Sequence, residues 1–366
     1  MRNATRREFL KGAACLGLAG LMPLSAEKDI GDPTSLRTHA EARGLLVGCA
    51  VNPEKLRDEP LYAQTVAEQE SLLVAENAMK WPALHPAPDK YNFAPADSIL
   101  AFAEAHKQQL RGHNLCWHEA LPDWFRSVVT KENANHVLAE HIRTVAGHFA
   151  GKLHSWDVVN EAIDPKDGRP DGLRKSPWLE LAGPYYIETA FRAARQADPK
   201  ALLTYNDYGI ELDTPDQTAK REQVLALVQR LKKRNVPIDA VGVQSHLTAG
   251  DPTPGAGLRD FVRKLRSMDM QVFITELDVS DHKIQGTIAE RDAAVAKLYG
   301  DYLRMMLAEP NVKAVLTWGI TDKYTWLNHQ HKRSDGQPQR PLPFDAEYKP
   351  APAFYAMRAA VDSRPS

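Results

Sequence analysis

The chain has 366 residues, of which 43% are hydrophobic and 25% are charged, and its formal net charge is −1 at pH 7. This length and composition exclude a disordered chain and allow either one large barrel or two ordinary domains. The near balance of charge gives no reason to expect a nucleic acid or a membrane surface as a partner, and it favours a neutral polar ligand.

The first 26 residues have the pattern of a twin-arginine export signal. Arg6 and Arg7 stand just before an apolar run, residues 12–23, that is too short and too rich in Gly and Ala to be a permanent membrane anchor. The run leads to a tolerable cleavage site at Ala26. We therefore expect a periplasmic or secreted protein with no membrane contact after export. The alternative interpretation of this N-terminal segment is an amphipathic surface helix.

Two cysteines are expected in the mature chain, because Cys15 lies within the export signal. Cys49 and Cys116 both fall inside apolar, strand-like runs. We predict that both are buried free thiols, and a disulfide between them is the alternative.

The segment 27–44 is polar and contains Pro33, so we predict a linker there. From residue 45 onward, short apolar runs bounded by turn residues alternate with longer segments of helical period, as in a parallel α/β protein. The predicted strands are residues 45–51, 71–75, 109–116, 155–160, 201–206, 240–245, 271–275 and 312–318.

Helical segments separate these strands, and apolar residues recur in them at steps of three or four. The clearest are around residues 138–149 and 295–306, and residues 353–361 are predicted to form the last helix. Eight strands with eight crossovers predict an α/β fold, a single (β/α)8 TIM barrel over residues 45–363. An open doubly wound sheet is the alternative, but neither of the glycine-rich phosphate-loop motifs that it would favour occurs.

Polar and aromatic residues follow the predicted strands, where core packing would favour Val, Ile and Ala. In such a barrel the carboxyl ends of the strands form one cleft, so these side chains should converge. Amides, imidazoles, carboxylates and indoles can hold a sugar by its hydroxyls and its flat C–H face. The residues are Glu76, Asn77, Lys80, His113, Trp117, His118, Asn160, Glu161, Asn206, Asp207, Tyr208, Gln244, His246, Glu276, Asp278, Trp318 and Trp326.

Two of the predicted strands are followed directly by a glutamate, Glu161 and Glu276. A carboxyl at the end of an apolar strand lies partly in a low-dielectric wall, which raises its pKa, although either glutamate alone is equally well explained as a helix cap. As a pair, they suit glycosidic cleavage, which needs one carboxyl to protonate the leaving oxygen and another to meet the oxocarbenium-like centre. A separation of roughly 5 to 5.5 Å gives retention and a wider gap gives inversion; we predict retention.

Metal catalysis is the main rival interpretation of these His and Glu residues. His113 and His118 are five positions apart on a strand-to-loop segment, and no H-E-x-x-H or C-x-x-C motif occurs. A G-x-S-x-G nucleophile elbow is also absent from the sequence. We predict no metal and no cofactor.

Seven segments of the chain resemble, in the same order, motifs of glycoside hydrolase family ten, the endo-1,4-β-xylanases. They are residues 76–81, 111–118, 156–162, 205–208, 242–247, 274–278 and 317–319. The resemblance covers nearly the whole chain after the export signal. It implies a TIM barrel that hydrolyses internal β-1,4-xylosidic linkages in xylan or xylo-oligosaccharides.

The resemblance also implies the roles of individual residues. Glu161 would be the acid/base and Glu276 the nucleophile of a retaining double displacement, with His246 hydrogen-bonded to the nucleophile and Asp278 behind it. Asn160 would hold the 2-hydroxyl of the sugar at the cleavage site. The other implied substrate-binding residues are Lys80, His113, Trp117, His118, Tyr208 and Gln244, then Glu76 and Asn77 for the next sugar on the non-reducing side, and Trp318 and Trp326 over the cleft floor.

Two positions depart from the family pattern. Ala120 stands where the family usually has Gln, and Leu327-Asn328-His329 stands where it usually has an Arg. Two other functions therefore stay open: a related β-glycanase that acts on another β-1,4-glycan or on short xylo-oligosaccharides, and a non-catalytic glycan-binding protein.

We expect a monomer, since no exposed apolar stretch requires a partner.

Overall fold

The protein is described by a computed structural model that covers residues 34–365. The predicted export signal, Cys15 and residues 27–33 of the predicted linker lie outside the described residues. The strands are β1 Leu46–Val51, β2 Leu72–Ala75, β3 Gln109–His113, β4 Ser155–Asn160, β5 Leu202–Asp207, β6 Ala240–Val243, β7 His246–Thr248, β8 Gln271–Ser280 and β9 Val312–Thr317.

Eight of these strands form a closed parallel barrel. Strands β1 to β6 pair in sequence, β6 pairs with β8, β8 with β9, and β9 returns to β1. The remaining strand, β7, is short and pairs only with the distal part of β8. The predicted (β/α)8 barrel is confirmed.

Helices surround the barrel and connect its strands. They are α1 Leu36–Glu41, α2 Pro53–Asp58, α3 Pro60–Gln69, α4 Trp81–Leu84, α5 Ala94–Ala105, α6 Phe125–Val128, α7 Ala134–His148, α8 Pro177–Ala182, α9 Tyr186–Ala197, α10 Pro215–Lys233, α11 Ala256–Arg266, α12 Ile288–Leu307, α13 Leu327–Gln330 and α14 Pro352–Asp362. The longest, α12, begins with a capping box between Thr287 and Glu290. None of the helices in residues 34–365 combines the length and the apolar character needed to cross a bilayer.

The predicted strands and the observed ones differ most around the cleft. The strand predicted to reach residue 116 ends at His113, and the one predicted to reach 245 ends at Val243. The strand predicted to end at 275 instead runs on to Ser280, because β7 pairs with its distal part, His246 opposite Asp278. Irregular pairing next to the site therefore changes the strand ends.

The linker prediction is wrong for residues 36–41, which form α1. The Ser35 side chain accepts a hydrogen bond from the Thr38 N–H, which caps the helix. Leu36 and Ala40, one turn apart, are buried, and α1 packs against α14 and β1. This apolar pair and the Ser35 cap are the sequence signals of the helix.

Cys49 and Cys116 are buried free cysteines, as predicted. Burial raises the pKa of both thiols, so the neutral form is favoured. The alternative of a disulfide between them is not observed.

Glu70 is a buried carboxyl away from the cleft, with 3% of its surface exposed. Burial outweighs the charge of Arg37 and raises the pKa of Glu70 to about 8. Because the folded state then binds this proton more tightly than the unfolded chain does, stability is highest below the ordinary carboxyl pKa and falls as pH rises towards 8. We expect a loss of about 1.4 kcal/mol per pH unit in this window.

Glu70→Gln tests this dependence, since the amide does not titrate. Urea unfolding at pH 5 and pH 8 should show that the variant gains stability relative to the wild type as pH rises. Parallel stability curves for the two proteins would contradict the expected protonation of Glu70.

Candidate active site

The two glutamates singled out in the sequence lie in the cleft at the carboxyl ends of the barrel strands. Glu161 directly follows β4, and Glu276 lies within β8 beyond its last pairing with β6. They are 7% and 5% exposed, respectively. Both are therefore buried to a similar degree, and differences in their chemistry arise from their neighbours.

Glu161 has a left-handed backbone, with a φ of 59°. This conformation is uncommon for a residue other than glycine and persists only where the surroundings hold it. Here its N–H donates to the carbonyl of Asn206 at 2.9 Å, and its carbonyl accepts from Arg174 Nε at 2.8 Å. Both sides of the residue are thus fixed by neighbouring elements, which aims its side chain into the cleft.

Three donors contact the Glu161 carboxyl. Gln244 Nε2 lies 2.8 Å and Asn160 Nδ2 3.0 Å from its Oε1, and Trp117 Nε1 lies 2.7 Å from its Oε2. Burial, aided by the negative charges of Asp207 and Glu276, outweighs the donors Gln244 and Trp117 and raises the pKa of Glu161. This shift stabilises the protonated form relative to that of an ordinary carboxyl, in the direction that a general acid requires.

The pKa of the Glu276 carboxyl is shifted in the opposite direction to that of Glu161. Asn206 Nδ2 donates to its Oε1 at 2.8 Å, and His246 Nε2 lies 3.3 Å from its Oε2. Burial alone would raise the pKa of Glu276, but the His246 donor, the charges of His113 and His246, and the Asn206 donor outweigh burial and lower it to about 2. The side chain is therefore ionised at neutral pH and available as a nucleophile.

His246 is itself held by a carboxylate. Its Nδ1 lies 3.0 Å from Asp278 Oδ1, and Trp326 Nε1 donates to Asp278 Oδ2 at 2.7 Å. Burial would lower the pKa of His246, but Asp278 and Glu276 raise it well above its usual value. With a carboxylate at each ring nitrogen, the charged imidazolium donates to both.

Asn206 connects the surroundings of the two glutamates. Its Nδ2 donates to Asn160 Oδ1 at 2.9 Å as well as to Glu276, and its Oδ1 accepts from Thr275 Oγ1 at 2.7 Å. Both amide protons and the carbonyl are used, so the orientation of this amide is fixed.

On one side of the glutamates, Lys80 lies between aromatic rings. Its Nζ is 5.3 Å from the centre of the Trp117 ring and 5.9 Å from that of Trp318, and it donates to Asn77 Oδ1 at 2.9 Å. Burial lowers the pKa of Lys80 against the opposing charges of Glu276, Glu76 and Glu161. Glu76 lines a small pocket here together with Trp318 and Trp326.

On the other side, Tyr208 lines an open cavity of about 560 Å³ together with His246 and Lys220. Its ring is 4.1 Å from Lys220 Nζ, and its hydroxyl accepts from Arg174 Nη2 at 3.2 Å. His118 lies nearby, its Nδ1 4.0 Å from Glu161 Oε2. Burial and the charges of Arg174 and Lys220 lower the pKa of His118 to about 4, so the imidazole is neutral.

The two positions that depart from the family pattern lie at different depths. Ala120 is half-buried, and Leu327 is buried at the start of α13. The Asn328 side chain accepts from the Gln339 N–H at 2.8 Å, whereas His329 is exposed. Asn328 is therefore engaged with the protein's own backbone.

Several residues of the site were not found from the sequence. Arg111 and Asp157 are buried in strands β3 and β4 and form an ion pair, and Asp157 Oδ2 also lies 3.0 Å from His113 Nδ1. A charged residue inside an apolar strand was the available signal for both. Arg174 comes from the long loop after β4, so no strand-end pattern marks it.

Within the part of the chain that the structure describes, there is no group of three or more His, Cys, Asp or Glu side chains placed to hold a metal ion. The side chains of the cleft are instead paired with one another.

The chain is similar to known proteins over most of its length. The profile of the family described as "Glycosyl hydrolase family 10" matches residues 35–360. A relative named "Beta-1,4-xylanase" from Dictyoglomus thermophilum is 36% identical over 302 residues, which is 80% of this chain and 83% of the relative. "Endo-1,4-beta-xylanase B" from Thermotoga neapolitana is 33% identical over 335 residues, 90% of this chain and 92% of the relative.

Solved structures are similar over the same extent. The crystal structure of xylanase 10B from Thermotoga petrophila RKU-1 in complex with xylobiose matches with a TM-score of 0.82 and 35% identity, covering 91% of this chain and 98% of that chain.

Proposed function

The chain belongs to glycosyl hydrolase family 10, and on that basis we propose that it is an endo-1,4-β-xylanase that cleaves internal xylosidic linkages by a retaining double displacement. The mechanism rests on one observation: two carboxyls of similar burial have pKa values that are shifted in opposite directions. The pKa of Glu161 is raised, and that of Glu276 is lowered to about 2. This is the division between an acid and a nucleophile that glycosidic cleavage requires.

In the first step, the Glu276 carboxylate attacks the anomeric carbon while Glu161 gives its proton to the leaving glycosidic oxygen. The product is a covalent glycosyl-enzyme and a shortened xylan chain. In the second step, Glu161, now ionised, takes a proton from water, and the resulting attack on the same carbon frees Glu276. Glu161 is thereby protonated again and ready for the next substrate.

The substrate-binding roles follow the arrangement of the cleft. Asn160 holds the 2-hydroxyl of the sugar at the cleavage site, where such hydrogen bonds strengthen in the transition state. Lys80, His113, Trp117, His118 and Gln244 line the sugar subsites beside it, Glu76 and Asn77 bind the next sugar on the non-reducing side, and Tyr208 binds on the opposite side of the glutamates. The cavity at Tyr208 and the pocket at Glu76 support this extended cleft.

Trp318 and Trp326 give the cleft its preference for xylose. Their indole rings cover its floor and leave little room for the C5 hydroxymethyl arm of glucose. A steric mismatch of this size is worth roughly 10- to 200-fold in kcat/KM. We therefore expect reducing ends to be released from xylan faster than from carboxymethyl cellulose by about that factor.

This comparison also separates the alternatives. Equal rates on the two polymers would favour a related β-glycanase with another substrate. Binding of xylan without release of reducing ends would favour a non-catalytic glycan-binding protein.

The pH dependence of kcat/KM is expected to be bell-shaped. On the acidic side, activity is lost only as Glu276 becomes protonated, and its low pKa places this limb at strongly acidic pH. On the alkaline side, activity falls as Glu161 loses its proton, and its raised pKa moves that limb upward. Initial rates on a xylo-oligosaccharide from pH 2 to 9 measure the alkaline limb in full and the upper part of the acidic limb, and a flat alkaline side would contradict the role of Glu161.

We further propose export through the twin-arginine route and a monomeric protein, both supported by the sequence alone. Replacing Arg6 and Arg7 with Lys should leave the full-length precursor inside the cell, which fractionation and immunoblotting detect. Unchanged export of that variant would contradict the proposed signal.

A further inference from the structure

Ser245 lies in a turn between two short strands at the edge of the cleft. Strand β6 ends at Val243 and β7 begins at His246, and both strands pair with β8. Ser245 is fully buried and has a left-handed backbone, with a φ of 68°. Like Glu161, it is therefore a non-glycine residue in a conformation that its surroundings must maintain.

The residues on either side of Ser245 act on different glutamates. Gln244 Nε2 donates to Glu161 at 2.8 Å, and His246 Nε2 lies 3.3 Å from Glu276. The direction of both side chains depends on the backbone of one turn. A change in that turn will therefore disturb the surroundings of both carboxyls at once.

Glu211 holds this turn through a hydrogen bond to its backbone. It follows β5 in the chain, and one of its carboxyl oxygens accepts the N–H of Ser245 at 3.0 Å while the other accepts the N–H of Ile210 at 2.7 Å. The Ser245 hydroxyl donates to the carbonyl of Val243 at 3.1 Å and lies 2.6 Å from the hydroxyl of Tyr302, on α12. These hydrogen bonds join the loop after β5, the turn and α12.

A buried carboxyl in this position calls for an explanation. Glu211 is 3% exposed, and burying a carboxyl costs free energy unless its oxygens are hydrogen-bonded. Its peptide partners satisfy both oxygens, and the titratable side chains nearby are His246 and Tyr302. The mechanism described above assigns Glu211 no step.

We propose that Glu211 is a positioning residue for both catalytic carboxyls, acting through the Ser245 turn. This inference rests on the proposed function of Glu161 and Glu276. Glu211 does not touch the reacting atoms; it holds the N–H of Ser245, and the turn then presents Gln244 to one glutamate and His246 to the other.

Glu211→Gln is the most direct test. The amide keeps the size of the side chain but has a single oxygen acceptor, so its NH2 group opposes one of the two peptide N–H donors. We expect kcat/KM to fall roughly tenfold to a hundredfold, as for a lost hydrogen bond to a charged group. Because the donors Gln244 and His246 both lower the pKa of the carboxyl that they contact, loosening them moves both limbs of the pH profile to higher pH.

The control is Glu309→Gln. Glu309 is also 3% exposed, but its carboxylate accepts from Arg259 and Arg263, which lie on α11. This variant should lose stability and keep both limbs in place. A second variant, Tyr302→Phe, removes only the hydroxyl that contacts Ser245 and should move both limbs in the same direction as Glu211→Gln, by less.

Failure of the proposed function and failure of the positioning role give different outcomes. A wild type that does not hydrolyse xylan refutes the proposed function before any variant is compared. With an active wild type, a lower rate in Glu211→Gln with both limbs unmoved, or with one limb moved, overturns the positioning role. If Glu211→Gln does not fold, the positions of both limbs in the pH profile of Tyr302→Phe decide by the same criteria whether Glu211 has the positioning role.

Discussion

Glu276→Ala is expected to lower kcat/KM on the order of 10⁵-fold or more on every xylan substrate, including aryl xylobiosides with very good leaving groups. The loss does not depend on the leaving group, because the missing carboxylate forms the bond to the anomeric carbon in the first step. Initial rates on a xylo-oligosaccharide and on a dinitrophenyl xylobioside measure this effect.

Two additions sharpen the Glu276 experiment. Glu309→Ala removes a glutamate that, like Glu276, has little exposed surface but pairs with Arg259 and Arg263. This variant should keep its turnover. Azide added to Glu276→Ala should attack the activated glycoside directly and give the α-xylosyl azide. Residual activity above about 1% of wild type, or a β-azide, would contradict the assignment of Glu276 as the nucleophile.

Glu161→Ala is expected to show the second large effect, and here the leaving group decides the outcome. On xylan, whose leaving alcohol needs a proton, the loss should be on the order of 10² to 10⁴-fold. On a dinitrophenyl xylobioside the first step needs no proton, so formation of the glycosyl-enzyme should be spared. A rapid burst of dinitrophenolate followed by slow turnover is the expected time course.

The second step provides an independent check on Glu161. Without the base, the glycosyl-enzyme is attacked slowly by water, and azide should accelerate turnover and give the β-xylosyl azide. The alkaline limb of the pH profile should also disappear from this variant, since Glu161 produces it. Equal losses on xylan and on the activated substrate would contradict its role as the acid/base.

The two glutamates show that burial alone does not assign these roles. From the sequence, a carboxyl at the end of an apolar strand was expected to have a raised pKa, and this holds for Glu161. The same burial acts on Glu276, but His246 and Asn206 donate to it, and its pKa is lowered to about 2. The difference comes from the neighbouring strands, which meet only in the folded barrel.

Much of the fold was predictable because apolar runs mark buried parallel strands. Strand β4 was predicted with its observed bounds. The distal half of β8 was missed, since its pairing with β7 is a tertiary contact. Helix α1 was missed because its polar residues outnumber the two apolar ones that it buries.

The parts of the site that the sequence did not predict act through the backbone. Arg174 contacts the carbonyl of Glu161, and Glu211 contacts the N–H of Ser245. Both Glu161 and Ser245 have positive φ values, which side-chain patterns do not indicate, because no glycine marks either position. Sequence patterns predict which groups react, and the structure shows the backbone contacts that orient them.

The central claim is that Glu276 forms a covalent bond to the sugar on its α face and that water then displaces Glu276 from the opposite face, so that the β configuration is kept. Proton NMR of the anomer first released from a xylo-oligosaccharide by the purified protein tests this most directly. We expect the β anomer to appear first, with the α anomer growing in only as the sugar mutarotates. Initial release of the α anomer would mean a single displacement by water and would contradict the account.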